Sequence, residues 1–141
     1  MEASKECIEA IKSFEGLRLK AYQCPSGVTT IGYGHTSSAR LNSACSQIEA
    51  EKWLREDLDR VYAVLRKVRV YWTQGMWDAC TSFVFNVGGQ QFLQSSLKKM
   101  MEFNAEDPAI KKEFMKWVYS KGRVLNGLKS RRQWEAKRYY Q

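Results

Sequence analysis

The first fifteen residues alternate apolar and charged positions at helical spacing. Ile8, Ile11 and Phe14 recur three apart, which predicts a short amphipathic helix over 4–15. Gly16 stands where a glycine in left-handed backbone closes a helix. Beyond it the period shortens to two. Leu19 and Ala21 alternate with Arg18 and Lys20, as in a half-buried strand. Pro25-Ser26-Gly27 marks a turn, and Val28-Thr29-Thr30-Ile31 is a second, β-branched strand run. Together they predict a small hairpin.

Helical periodicity then returns. Ser46 followed by Glu49 has the capping-box pattern. Leu54, Leu58, Val61, Leu65 and Val68 step by fours and threes, which predicts one long helix with a single apolar stripe. The remainder reads as helices. Trp77, Cys80, Val84 and Val87 follow one face, and Asp107 with Pro108 makes an N-cap and first-turn pair before Ile110, Phe114 and Trp117. A last helix is expected from about Lys129 to the end. The expected fold class is α+β and mostly helical, as one domain. A small lobe with a β-hairpin lies at about 1–50, a linking helix at about 46–69 and a helical lobe at about 70–141. A cleft between such lobes is a natural place for a polymer to bind.

Composition narrows the function classes. A chain of 141 residues is long enough to bury most of the surface its unfolded form exposes, and two prolines argue against a long linker. No apolar run near the N-terminus is long enough for a signal peptide or a membrane span. The expectation is therefore a monomer made in the cytoplasm without its own signal peptide and without stable membrane insertion. The formal net charge of +8 predicts attraction to polyanions: nucleic acid, anionic lipid or the phosphate-rich polymers of a bacterial wall. Lys and Arg are spread along the whole chain, with no recognised nucleic-acid motif, which argues against a nucleic-acid partner. Cys7, Cys24, Cys45 and Cys80 form no CxxC pair and no metal-like spacing with the single histidine, His35, so neither metal nor cofactor is expected. Four thiols allow three complete disulfide pairings, and the spacing selects none.

Glu15 is the most informative residue. It lies four after Ile11 and seven after Ile8, on the face that carries the apolar side chains. Desolvation there, and the negative end of the helix dipole, both favour the protonated carboxyl that a general acid requires. A buried glutamate tied to an arginine accounts for the position equally well.

The residues that follow carry a resemblance. Glu15-Gly16-Leu17-Arg18-Leu19-Lys20-Ala21-Tyr22 leads to Cys24 and then to Thr30-Ile31-Gly32-Tyr33-Gly34-His35-Thr36. This closely resembles the signature of the phage-type lysozymes, including endolysins of tailed phages. That family places a glutamate, then an aspartate or cysteine after eight intervening residues, then a threonine after five more; Glu15, Cys24 and Thr30 satisfy both gaps. Ser82-Phe83-Val84-Phe85-Asn86-Val87-Gly88, then Phe92 and Ser95-Ser96-Leu97, are similar to the family's second-lobe segment. Residues 117–135, with Gly122-Arg123-Val124-Leu125-Asn126-Gly127-Leu128 and Arg131-Arg132, are similar to its C-terminal segment.

The resemblance implies a hydrolase of peptidoglycan glycan strands. Glu15 would donate a proton to the oxygen of the β-1,4 bond between N-acetylmuramic acid and N-acetylglucosamine, with Cys24 and Thr30 positioning or activating the attacking water. Cleavage through an oxocarbenium-like state needs both services. Gly34, Thr36, Phe85, Asn86 and Ser96 would contact the sugars. Phe85 reads equally as core, Thr30 as an ordinary strand residue and Cys24 as a small thiol packing the hairpin. Cys24 departs from the commoner aspartate. Only a thiolate could serve as base there, and Arg18 or Lys20 are the cations placed to lower its pKa. His35 is expected to pair with a carboxylate, such as an aspartate of the second lobe, and Arg131 or Arg132 with Glu15. Two other readings are a non-catalytic wall-binding module on the same fold and a lytic transglycosylase, which would leave anhydro sugar ends.

Overall fold

The computed structural model describes every residue except Pro25 and Ser38. Pro25, the first residue of the expected hairpin turn, therefore lies outside the described residues. The chain divides into two compact units, one of Glu9–Arg60 and one of Met1–Ile8 with Val61–Gln141. The first eight residues thus group with the C-terminal part of the chain, and the long helix is divided between the units.

Unit Glu9–Arg60 takes most of α1 (Lys5–Glu15), the strands β1 (Arg18–Gln23) and β2 (Thr29–Gly32), and most of α2 (Gln47–Leu65). α1 ends as expected: the Gly16 N–H donates to Lys12 O at 2.8 Å with φ at 72°. β1 and β2 pair antiparallel, with an irregularity between Arg18 and Tyr22. The segment 43–45 bonds the main chain of β1, through Ala21 N–H to Ser43 O at 2.9 Å and Cys45 N–H to Leu19 O at 2.8 Å. β1 is not half-buried by alternation. Leu19 is 47% exposed, and of the strand only Ala21 and Tyr22 are half-buried. α2 opens on the capping box, with Glu49 N–H donating to Ser46 Oγ and Ser46 N–H to Glu49 Oε1, each at 3.1 Å. Its stripe of Leu54, Leu58, Val61 and Leu65 is buried, and so is Val68 beyond the helix end.

The other unit is helical around α3 (Gln74–Val87), which packs on α4 (Gly89–Leu93) and on α7 (Asn126–Tyr139). α4 leads to α5 (Ser96–Phe103), and α5 and α7 both pack on α6 (Ile110–Phe114). The expectation of a one-faced α3 is corrected: every residue from Gly75 to Val84 is buried. A helix enclosed on all sides has no polar stripe to display. Phe83 sits at its centre, edge-on to Phe92, Phe114 and Trp117 at 5.5–6.0 Å. Asp107 Oδ1 accepts from Ala109 N–H at 2.9 Å in a turn over Pro108, and α6 begins only at Ile110 and stops before Trp117. A hairpin of β3 (Tyr119–Ser120) and β4 (Arg123–Val124) stands where helix was expected. Lys121 and Gly122 both take positive φ, 51° and 77°, the backbone of a tight two-residue hairpin turn.

Asp78 on α3 ties this unit together. Its carboxylate is fully buried and accepts five hydrogen bonds, from Ser4 N–H and Oγ, Gln74 Nε2, and Arg138 Nε and Nη2. Ser4 Oγ in turn accepts from Cys7 N–H at 3.1 Å and so caps α1. Removing one partner of such a group strands the others without water. Asp78→Ala is expected to lower unfolding stability by about 3–5 kcal/mol, read as a fall in the urea midpoint at unchanged slope. A change below about 1 kcal/mol would show that Asp78 does not hold the N-terminus.

Candidate active site

Glu15 closes α1 and is half-buried. The backbone of Gly34 lies close against it. A Cβ built on Gly34 would stand 2.5 Å from Glu15 Oε1 and 3.1 Å from its carboxyl carbon, and Gly34 has φ of 71°. Only glycine combines that conformation with that approach.

The segment 32–35 is held there by one face of α2. Gly32 backs onto Ala50, where an added Cβ would meet the Ala50 Cβ at 3.2 Å. Three residues on, the Trp53 ring stacks flat on His35, with centroids 4.9 Å apart and planes 7° apart. Four further, Asp57 Oδ2 lies 2.8 Å from His35 Nδ1. Ala50, Trp53 and Asp57 follow the helical repeat, so a single face contacts consecutive parts of one loop. The carboxylate pairing expected of His35 is present, with Asp57. Asp57 is on α2 and in the same unit as His35, where the chain after β2 runs along that helix. A second tie joins α1 to α2: Lys12 Nζ donates to Glu51 Oε1 at 2.7 Å and lies 5.5 Å from the centre of the Tyr33 ring.

Cys24 and Thr30 are brought together across the hairpin. The Cys24 N–H donates to Val28 O at 3.0 Å, Gly27 N–H to Cys24 O at 2.8 Å, and the Cys24 Sγ lies 2.7 Å from Ser26 Oγ. Thr30 is 4% exposed, so it is not a solvent-facing strand residue, and its hydroxyl donates to Val28 O at 3.1 Å. Hydrogen bonds from the Ser26 side chain and then its main chain, with lesser help from Val28 and Thr30, hold the Cys24 thiol down at about 7. The cause is thus hydrogen bonding and not chiefly the cations Arg18 and Lys20; the Arg18 guanidinium stacks over the Tyr22 ring at 4.8 Å. Among the described residues all four cysteines are free thiols. Burial pushes the other three up, and Cys7 and Cys80 are fully enclosed.

Thr36 follows His35 and is exposed. The remaining expected site residues belong to the other unit. Phe85 is half-buried and Asn86 exposed near the end of α3. Ser96 begins α5 and donates to Glu113 Oε2 at 2.9 Å; with Lys116 leading, these contacts hold the Glu113 carboxyl below its usual range. Arg131 and Arg132 are buried on α7. Arg131 donates from Nε to Ser82 Oγ at 3.1 Å and from Nη2 to Ser82 O at 3.0 Å. Arg132 donates to Glu135 Oε2 at 2.9 Å, and its Nε faces Glu135 Oε1 at 2.6 Å as an ion contact outside hydrogen-bond alignment. Burial pushes the Glu135 carboxyl up, while Arg132, Arg131 and Ser82 pull it down. Sequence reasoning passed over Ser26, Trp53 and Asp57. Ser26 read only as a turn residue, and the other two only as parts of a helix.

Comparison with known proteins follows the same residues. The family model described as phage lysozyme matches residues 12–135. The endolysin of Acyrthosiphon pisum secondary endosymbiont phage 1 is 43% identical over 140 residues, 96% of this chain and 95% of that protein. The endolysin of Bacillus phage B103 is 40% identical over 139 residues, and the chain spans 52% of its length. Among solved structures, the muramidase domain of SpmX from Asticaccaulis excentricus superposes with a TM-score of 0.89 at 34% identity, covering 99% of this chain and 98% of that one.

The four thiols differ enough to be told apart chemically. At pH 7 a thiolate-selective alkylating reagent is expected to modify Cys24 ahead of Cys45, with Cys7 and Cys80 modified only after unfolding. Peptide mass spectrometry over a time course checks the order. Earlier modification of Cys45 would contradict it.

Proposed function

The chain belongs to the phage lysozyme family, and from that we propose how this glycoside hydrolase of bacterial peptidoglycan uses its own residues. Glu15 protonates the oxygen of the β-1,4 bond between N-acetylmuramic acid and N-acetylglucosamine as the bond from that oxygen to the muramic acid C1 breaks. Water held by the Thr30 hydroxyl attacks C1 and gives its proton to the Cys24 thiolate. Glu15 is left as carboxylate and Cys24 as thiol, and exchange with solvent restores both. A base-activated water on the opposite face inverts the anomeric carbon. Gly34 lets Glu15 lie against the backbone; Thr36, Phe85, Asn86 and Ser96 contact the sugars.

The observation that carries this reading is the placement of Cys24 and Thr30 on the same Val28 carbonyl across the hairpin, where hydrogen bonds hold the Cys24 thiol down at about 7. A neutral thiol is a poor base, whereas a thiol with that pKa is about half thiolate at pH 7. The enzyme acts on the cell wall. In this reading it is a monomer, made in the host cytoplasm, that reaches the wall after release and binds no nucleic acid.

Purified sacculi provide the test. Glu15→Gln is expected to lose at least about a hundredfold in clearing rate, and wild-type digests should carry reducing muramic acid ends by mass spectrometry. Unchanged clearing refutes the acid role, and anhydro ends indicate transglycosylation. The sign of the pH effect follows from the lowered thiol. The active form is deprotonated, so clearing should rise as pH increases through about 7. Cys24→Asp should move that limb to about pH 4, where a carboxylate ionises; an unmoved limb would assign it to another group. Gly34→Ala should push the Glu15 carboxyl aside and cost about a hundredfold in rate, with only about 1–2 kcal/mol lost in stability from the positive φ.

A further inference from the structure

The turn after β1 carries a hydroxyl to which the reaction above gives no part. Ser26 Oγ stands 2.7 Å from Cys24 Sγ, and among the described residues it has no other hydrogen-bond partner. Thr30 is placed differently. Its hydroxyl donates to the Val28 carbonyl at 3.1 Å, and its help to the sulfur is the smallest of the hydrogen bonds there. A hydroxyl has one proton to donate and two lone pairs to accept with. Thr30 gives its proton chiefly to Val28 and helps the sulfur least, so its oxygen is open to accept from an incoming water.

We propose that Ser26 is a positioning residue for the hydrolysis: its hydroxyl donates to the Cys24 sulfur and holds it as the thiolate, which leaves the Thr30 oxygen to take the attacking water. This rests on the reading of Cys24 as the base. A thiolate only accepts hydrogen bonds, so in the charged state Ser26 must be the donor, and the bond favours that state. The backbone keeps the two groups together. The Gly27 N–H to Cys24 O bond at 2.8 Å, with Gly27 at φ of 85°, closes the turn that carries Ser26.

The surrounding charges do not supply this service. β1 contributes Arg18, Lys20 and Tyr22; β2 contributes no titratable group; the segment bonded to β1 contributes Cys45, itself raised by burial. Arg18 is spread over the Tyr22 ring. The Ser26 side chain leads the lowering of the Cys24 thiol, ahead of its own N–H.

Ser26→Ala and Ser26→Thr in the full chain test the idea through two curves, the rate of Cys24 alkylation against pH and the rate of sacculus clearing against pH. The wild-type alkylation midpoint is expected near 7. Ser26→Ala should raise it to about 8, which cuts the thiolate fraction at pH 7 about fivefold, and should carry the rising limb of clearing with it. Ser26→Thr, which keeps the hydroxyl, should restore both. An alkylation midpoint unmoved in Ser26→Ala overturns the proposal, and so does a moved midpoint with an unmoved clearing limb. Failure of the underlying reading shows separately, as full clearing by Cys24→Ala while the alkylation midpoint still responds to Ser26.

Discussion

A carboxylate buried as completely as Asp78 is costly in a protein interior unless every lone pair is answered. Here the answers come from parts of the chain far apart in sequence: Ser4 at the start of α1, Gln74 one turn away on α3, and Arg138 near the end of α7. Hydrogen bonding to Asp78 also raises the Arg138 guanidinium further. The demand of one buried charge thus fixes where α1 begins.

The Glu9–Arg60 unit is organised by fit and not by charge. Two glycines let backbone approach closely, Gly32 on Ala50 of α2 and Gly34 on Glu15. The stacked Trp53 and the Asp57 contact then hold His35, and with it the loop between them. A loop held on both sides by a long helix can keep a carboxyl in one place, which acid catalysis requires of its proton donor.

At position 24 this chain has a thiol, a residue with a far weaker claim to charge than a carboxyl. The hairpin compensates by surrounding the sulfur with hydrogen-bond donors. Burial would have done the opposite, as Cys7 and Cys80 illustrate: both are enclosed, and both are raised. Position in a turn, with main-chain and hydroxyl donors nearby, separates a reactive thiol from an inert one of the same residue type.

Much was legible in the residues alone. The apolar stripe of α2, its capping box and the glycine stop of α1 are local patterns with local causes, and they appear where the sequence places them. The spacing of Glu15, Cys24 and Thr30 is likewise a property of the chain and was enough to suggest the family. Other features were decided by tertiary structure. α3 is enclosed on every side because other helices surround it, and no periodicity in its own sequence announces them. The exposure of Leu19 breaks the alternation that its sequence suggests. His35 meets Asp57 because the loop runs along α2. The Cys24 sulfur is governed by Ser26 because the turn folds one over the other. Periodicity and caps depend on neighbours within a few residues, whereas burial, pairing and titration depend on which distant groups the fold brings within a few ångströms.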